Sequence, residues 1–343
     1  MTSKNSFERV VVLSNPVSTR SETVVQQLDD IRERFGNRVV ELASYPCPAD
    51  TTDMLKTKVR WGDVVVTAGG DGTARTAVEA LADASAAAHH AVLLPLPGGY
   101  RNDLATQLHA GHMLSQPSKI IESSPAVDIM PLVTQWEVGG TRIERLSALY
   151  SGLGAMATTA HYIASPSFRE RPGYKLSWVR DLYGLSALPW TIQNVDSFLV
   201  ETDDGDVHEL LDATVANSGV VAQYLHPPVE LADHKAFYVE LSSKRPQDVL
   251  PYIVRLMSQP WVLPPEHTML HPGHAKRLTP LSETYLHTDG DAEKIPAYTP
   301  VSFGLHTVPF RAFYSRHRIL HAIKQQRAQP DMTKDGFMRL IAH

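Results

Sequence analysis

The chain has a single cysteine, Cys47, in 343 residues. One cysteine excludes an intrachain disulfide and any metal site built from several thiolates. No apolar run reaches the roughly 20 residues that a bilayer-crossing helix needs. The opening stretch MTSKNSFERVVVLSN holds no apolar segment of signal-peptide length. An excess of one charge is also missing, because 32 basic and 37 acidic residues leave a formal net charge of −5. That balance speaks against general nucleic-acid binding. There is no internal repeat and no low-complexity linker. These absences lead to the expectation of a cytoplasmic protein whose membrane contact is peripheral, at the inner face. What is present is an ordinary globular composition, 43% hydrophobic and 20% charged, over a length that suits two domains.

The most informative stretch is DVVVTAGGDGT, from Asp63 to Thr73. A short β-branched run ends in a glycine turn, and the alanine-rich segment from Ala74 to Ala88 follows without glycine or proline. This reads as a buried strand, a tight turn and the start of a helix. Backbone N–H groups at a helix start carry partial positive charge and have no partner inside the helix. A phosphate suits that position, and glycines let its oxygens approach. Asp71 is the exception within the loop, because an acid beside a phosphate needs a cation or a transferable proton between them. It is therefore a candidate for holding magnesium or activating a hydroxyl. The plainer reading is a βα turn whose aspartate caps the helix.

Strands are expected at Arg9 to Ser14, Val39 to Leu42, Asp63 to Thr67 and Ala91 to Leu94. Helical spacing of Val24, Leu28, Ile31 and Phe35, and a short helix from Asp53 to Val59, alternate with them. Alternation of this kind gives a parallel α/β sheet, with ligands at the carboxyl ends of its strands. Three loops converge there: Asn15 to Arg20, Gly69 to Thr73, and Pro97 to Asp103. In the third, Gly98 and Gly99 allow close backbone approach, and Asn102 or Asp103 can cap the helix that runs through Leu108. Beyond Asp128 the pattern turns strand-like, with pieces at Gln135 to Val138, Arg142 to Tyr150, Asp196 to Glu201, Val207 to Asn217, Phe237 to Leu241, Glu283 to Thr288 and Pro300 to His306. Gly139-Gly140 and Asp204-Gly205 read as hairpin turns. Tyr174 to Leu188 looks helical. Arg169, Arg171, Lys175 and Arg180, with Tyr174 and Trp178, read first as a solvated helix face and, as the alternative, as a basic, aromatic surface toward anionic lipid heads. The expected architecture is a three-layer α/β domain over 1–128 and an antiparallel β-sandwich over 129–309. A C-terminal helix over 310–343 would pack back on the first domain.

Several motifs together resemble the diacylglycerol kinase catalytic domain family, whose superfamily includes sphingosine and ceramide kinases. They are Asn15-Pro16, GGDGT (Gly69 to Thr73), PGGYRNDLA (Pro97 to Ala105), Val127-Asp128, SGLGA (Ser151 to Ala155) and TDGD (Thr288 to Asp291). GGDGT alone is shared with NAD kinases, whereas its combination with P-x-G-x-x-N-D-x-A is more specific. The resemblance implies an ATP site between the two domains, held by Asn15, Pro16, Ser18, Gly69, Gly70, Asp71, Gly72, Thr73, Gly98, Gly99, Tyr100, Asn102 and Asp103. It implies Mg2+, a greasy acceptor cleft in the sandwich, and a late acid serving as base toward the acceptor hydroxyl. Asp291 stands at that place, so Asp71 and Asp291 are the catalytic candidates. Asp233 matches an aspartate that binds a structural magnesium in the family.

The chain also departs from the family pattern. Tyr100 replaces a threonine, Arg75 and Thr76 replace an asparagine and a glutamate, Asp291 replaces a glutamate, and His234 replaces the glycine after Asp233. The expected activity is transfer of a phosphoryl group from ATP to a lipid hydroxyl, of diacylglycerol or a sphingoid-like lipid, at a membrane surface. A non-catalytic nucleotide-binding homologue and a kinase of a soluble acceptor such as NAD are the alternatives. The oligomeric state stays open, with a homodimer among the candidates.

Overall fold

The computed structural model describes residues 7–16, 22–99, 102–109, 111–172, 197–218, 229, 231–242, 267–289 and 291–314. The β-branched runs become strands covered on both faces, as parallel sheets require. In chain order these are β1 (Val10–Ser14), α1 (Glu22–Phe35), β2 (Val39–Ala43), α2 (Pro48–Lys58), β3 (Val64–Gly69), α3 (Asp71–Leu81), β4 (Val92–Pro97), α4 (Asp103–Leu108), α5 (Pro117–Ser123) and β5 (Ala126–Ile129). β1, β2, β3 and β4 pair in parallel. Val24, Leu28, Ile31 and Phe35 of α1 pack on one face of the sheet with Ile120 and Ile121 of α5. Leu55, Ala77, Val78, Leu81 and Leu104, from α2, α3 and α4, cover the other. α3 ends at Leu81, short of the expected Ala88, and a 3-10 turn over Ala87–His90 leads into β4.

The antiparallel part comprises β6 (Leu132–Val138), β7 (Thr141–Ser147), β8 (Tyr150–Gly154), α6 (Ala155–Ala164), α7 (Pro166–Arg169), β9 (Phe198–Thr202), β10 (Val207–Leu210), β11 (Asp212–Ala216), β12 (Ala236–Leu241), β13 (His267–Leu270), β14 (Ala275–Pro280), β15 (Thr284–Thr288), β16 (Asp291–Ile295) and β17 (Val301–Leu305). They form two six-stranded sheets, ordered β10-β9-β14-β17-β6-β7 and β13-β12-β11-β8-β15-β16. Trp136, Phe198, Leu278 and Phe303 of the first sheet meet Leu153, Tyr238, Leu270 and Leu286 of the second in one core. Gly139 and Gly140 take positive φ in the turn between β6 and β7, the conformation a tight hairpin needs.

Three expectations need correction. Phe310–Phe313 do not open a C-terminal helix. They form strand β18, inserted between β4 and β5 of the parallel sheet. The alternating apolar residues there suit a strand buried against β4, and residues 315–343 lie outside the described residues. The run Arg142 to Tyr150 is not one strand, and neither is Val207 to Asn217. Each breaks where the chain passes from one sheet of the sandwich to the other, between β7 and β8 and between β10 and β11. The expected helix Tyr174 to Leu188 lies outside the described residues, and with it most of the basic, aromatic surface.

Each break frees backbone groups that need partners. At the second break, Leu211 N donates to Leu241 O at 2.7 Å, and Ala155 N donates to Leu211 O at 3.0 Å. Asp212 then accepts from Met156 N at 2.7 Å, at the first turn of α6, and from the Thr214 hydroxyl at 2.6 Å. Complete burial pushes the Asp212 carboxyl up to about 7, against these two donors. An unfolded aspartate ionises near the ordinary carboxylate value. Between that value and about 7 the folded chain keeps a proton that the unfolded chain has lost. Stability therefore falls as pH rises through this window and levels off above it. Asparagine can accept from Met156 N and donate to Thr214 without carrying a charge. Asp212→Asn is expected to be near neutral at about pH 4 and stabilising by up to about 4 kcal/mol at about pH 8. Urea unfolding at the two pH values checks this, and equal effects at both would show that the buried charge is not the cost.

Candidate active site

The parallel sheet delivers three loops to one edge. β1 ends beside β3, with Ser14 opposite Ala68, and β3 ends beside β4, with Gly69 opposite Pro97. Asn15, the glycines from Gly69 and the pair Gly98-Gly99 therefore lie together, as the alternation of strands and helices predicts. Asn15 N donates to Ala68 O at 3.0 Å, and its side-chain amide reaches the Thr73 hydroxyl at 3.4 Å. Pro16 follows in the same turn. Ser18 and Tyr100 lie outside the described residues.

The glycines have a use that the motif does not reveal. Gly98 N donates to Gly69 O at 3.0 Å, so the two glycine loops run against each other. A Cβ on Gly99 would lie 2.2 Å from Gly70 Cα, and one on Gly98 would lie 3.0 Å from Gly69 N. A Cβ on Gly70 would come to 3.1 Å from Gly99 Cα. The expectation that these glycines chiefly clear space for phosphate is thus incomplete, because they first let two backbones touch. Gly152 and Gly154 show the same use. Their added Cβ atoms would meet Ala213 O, in β11, and Leu211 O, just before it, each at 2.5 Å.

Asn102 does not cap α4 with its side chain. It sits in the left-handed region at φ 55, accepts from Gly99 N at 2.6 Å and donates to Gly99 O at 2.9 Å, closing the loop on itself. The cap comes from the other loop. The Asp71 carboxylate accepts from Asp103 N at 3.1 Å and from Leu104 N at 3.2 Å. A carboxylate at a helix N-terminus satisfies orphan donors and complements the dipole. The plainer reading of Asp71 as a cap is therefore half right, since it caps the helix of the neighbouring motif. Asp103 is buried, and the Tyr150 hydroxyl reaches its Oδ2 at 3.4 Å from the start of β8. The α/β part and the sandwich meet at this contact.

Two further acids arrive on the β15–β16 hairpin. Asp289, which the sequence shows only as part of a turn, is buried. It accepts from Ala148 N at 2.7 Å and from Leu149 N and Tyr150 N at 3.1 Å, the groups freed where β7 gives way to β8. Burial pushes its carboxyl up to about 7. The backbone donors oppose that rise, while the Asp71 charge adds to it and the Arg75 charge opposes it. Asp291 opens β16. A Cβ on Gly72, in the first turn of α3, would lie 3.8 Å from both Asp291 carboxylate oxygens. The late acid therefore stands beside the helix start where a phosphate would be held. Its Oδ2 accepts from Arg75 Nη2 at 2.7 Å. No rule of spacing joins these two residues, and no local signal in the sequence pairs them.

Asp233 ends a 3-10 turn over Leu231–Asp233, ahead of β12. His234 takes the left-handed conformation at φ 52 that the family's glycine adopts easily, and its Nε2 lies 3.2 Å from Asp128 O. Among the described residues no three His, Cys, Asp or Glu side chains converge on a metal position.

Residues 9–132 match the family model of the diacylglycerol kinase catalytic domain. The resemblance read from the motifs is thereby shown over that span. No curated protein matches the chain. Three solved structures from Bacillus anthracis str. Sterne share the fold. One, a diacylglycerol kinase, is 16% identical with a TM-score of 0.61, covering 91% of this chain and 98% of its own. The other two, provisionally named diacylglycerol kinases, are each 18% identical with TM-scores of 0.65 and 0.63, covering 91% of this chain and 99% of theirs.

The backbone contact between the glycine loops sets an order of sensitivity. Gly99→Ala meets backbone that cannot move alone, whereas Gly70→Ala needs the facing loop to give by a few tenths of an ångström. Gly99→Ala is expected to lower the unfolding midpoint markedly, by overpacking costs of roughly 1–3 kcal/mol or more. Gly70→Ala should cost less and weaken nucleotide binding. Denaturant unfolding of the two variants checks the order, and the reverse order would show that the loops do not press together.

Proposed function

We propose that the protein is an ATP-dependent kinase that transfers the γ-phosphoryl group to a hydroxyl of a lipid, of the diacylglycerol or sphingoid type. The observation that carries this reading is the Asp291 carboxylate lying against Gly72, at the start of α3. A phosphate donor and an acceptor hydroxyl need to meet within about 3–3.5 Å, and this junction holds an anion-favouring helix start and an acid side by side. The first turn of α3 and the Gly98-Gly99 loop would hold the phosphates through backbone N–H groups. Asp291 Oδ1 accepts no hydrogen bond among the described residues and would take the proton as the acceptor oxygen attacks phosphorus. The bond between the γ-phosphorus and the bridging oxygen then breaks, leaving ADP. Mg2+ supplies charge neutralisation on the triphosphate when bound. Asp71, whose carboxylate also accepts from Asp103 N and Leu104 N, would be its carboxylate ligand. The remaining positions would come from phosphate and water.

A lipid acceptor would be met at a membrane surface, by peripheral contact. No helix among the described residues is long and apolar enough to cross a membrane. The non-catalytic reading draws on one observation, the guanidinium of Arg75 already seated on Asp291.

Phosphate transfer from ATP with Mg2+ to dioleoylglycerol, sphingosine, a polyisoprenol and NAD, assayed side by side, separates the readings. Transfer to a lipid and not to NAD is expected. Asp291→Asn should leave ATP affinity in calorimetry unchanged and lower turnover by about 10²–10⁴-fold. Unaltered turnover in that variant eliminates Asp291 as the base. ATP binding without transfer to any acceptor favours the non-catalytic reading.

A further inference from the structure

Arg75 carries a charge in a place where charge is costly. It lies in the second turn of α3 and is only 6% exposed, so its charge is taken out of water. Its Nη2 is 2.7 Å from Asp291 Oδ2, its Nη1 is 3.8 Å from Glu79 Oε1, and its buried Nε has no partner. Glu79 is held in turn by the Thr52 hydroxyl, which donates to Oε2 at 3.3 Å. The guanidinium is thus fixed from α2 and α3, and its short contact reaches across to β16.

Asp291 is the opposite case. Its side chain is 59% exposed, at the first residue of a strand that follows a tight turn. Arg75 supplies its only hydrogen bond to a side chain among the described residues. Aspartate has one rotatable bond fewer than glutamate and a shorter reach, so a misplaced carboxylate cannot recover position by extending.

We propose that Arg75 is a positioning residue that holds the Asp291 carboxylate beside Gly72 by taking Oδ2 and leaving Oδ1 toward the acceptor hydroxyl. The proposal rests on the reading of Asp291 as the base. It turns the arginine from an obstacle to catalysis into the support of a short acid. It also gives the pair an asymmetry. Removing Arg75 leaves a carboxylate that water can solvate, whereas removing the Asp291 charge leaves a buried cation with only the 3.8 Å Glu79 contact.

The experiment combines a double-variant cycle with kinetics. Arg75→Gln, Asp291→Asn and the double variant are unfolded in urea, and each is assayed with ATP, Mg2+ and dioleoylglycerol or sphingosine in mixed micelles. Arg75→Lys is assayed alongside. Asp291→Asn is expected to lower the unfolding midpoint further than Arg75→Gln, and the double variant should recover part of the difference. Arg75→Gln should lower kcat by about 10–10²-fold, as a misplaced catalytic group does, with the KM for ATP unchanged. Arg75→Lys should restore much of that rate, because one ammonium can replace one Nη2 contact. Additive effects on stability would overturn the pairing. Coupled stability with wild-type kcat in Arg75→Gln would overturn the positioning role while leaving Asp291 as base. A higher kcat in Arg75→Gln would show that the arginine blocks the acid. Wild-type protein that transfers phosphate to neither lipid while still showing the coupling overturns the positioning role along with the lipid-kinase reading, leaving a structural ion pair.

Discussion

Backbone N–H groups that are freed where strands and helices end, and then buried, must find acceptors. Among the described residues, aspartates far away in sequence supply several of them. Asp71 takes the first N–H groups of α4, Asp289 takes those at the passage from β7 to β8, and Asp212 takes one at the start of α6. A carboxylate suits the task because it accepts several bonds at once and donates none when ionised. The cost is burial of charge, and for Asp289 and Asp212 that cost shows as carboxyls raised to about 7. Most of the architecture around the candidate site follows from where these acceptors sit.

The same constraint explains how the two parts of the chain are joined. Asp71 binds the helix of the second glycine motif, and Asp103 at that helix start meets Tyr150 of the sandwich. Tyr150 N is itself held by Asp289, which lies two residues before Asp291 in the chain. The Gly69–Thr73 loop, the second glycine loop and the late hairpin are therefore linked by a continuous series of contacts. A shift in any of them would move Asp291 relative to Gly72, and that spacing carries the catalytic reading.

The parts of this arrangement that could be read from sequence are those whose cause is local. VVVL and DVVVT have no choice but to be buried strands, and the glycines after Ala68 mark a turn whatever surrounds them. The family motifs named Asp71, Asn102, Asp103 and Asp291 as a group, and the structure brings those loops together. What escaped depends on partners distant in the chain. The runs Arg142 to Tyr150 and Val207 to Asn217 keep their apolar pattern through the point where they change sheets, so nothing in the pattern shows the break. Asp289 looks like any turn aspartate until β7 and β8 part beside it. Phe310 to Phe313 is too short to declare its type without β4 and β5 on either side.

Arg75 shows why a departure from a family pattern needs its partner before it can be interpreted. On sequence it replaces an asparagine next to a phosphate loop and counts only as a loss. In the fold it lies 216 positions from Asp291 and is bonded to it. The two departures, arginine for asparagine and aspartate for glutamate, occupy one contact. Asp291 is largely exposed and gains a fixed partner in Arg75, and Arg75 requires an anion because its burial opposes its charge. Each residue removes the other's difficulty, so the pair is consistent with a retained site in a way that neither change is alone.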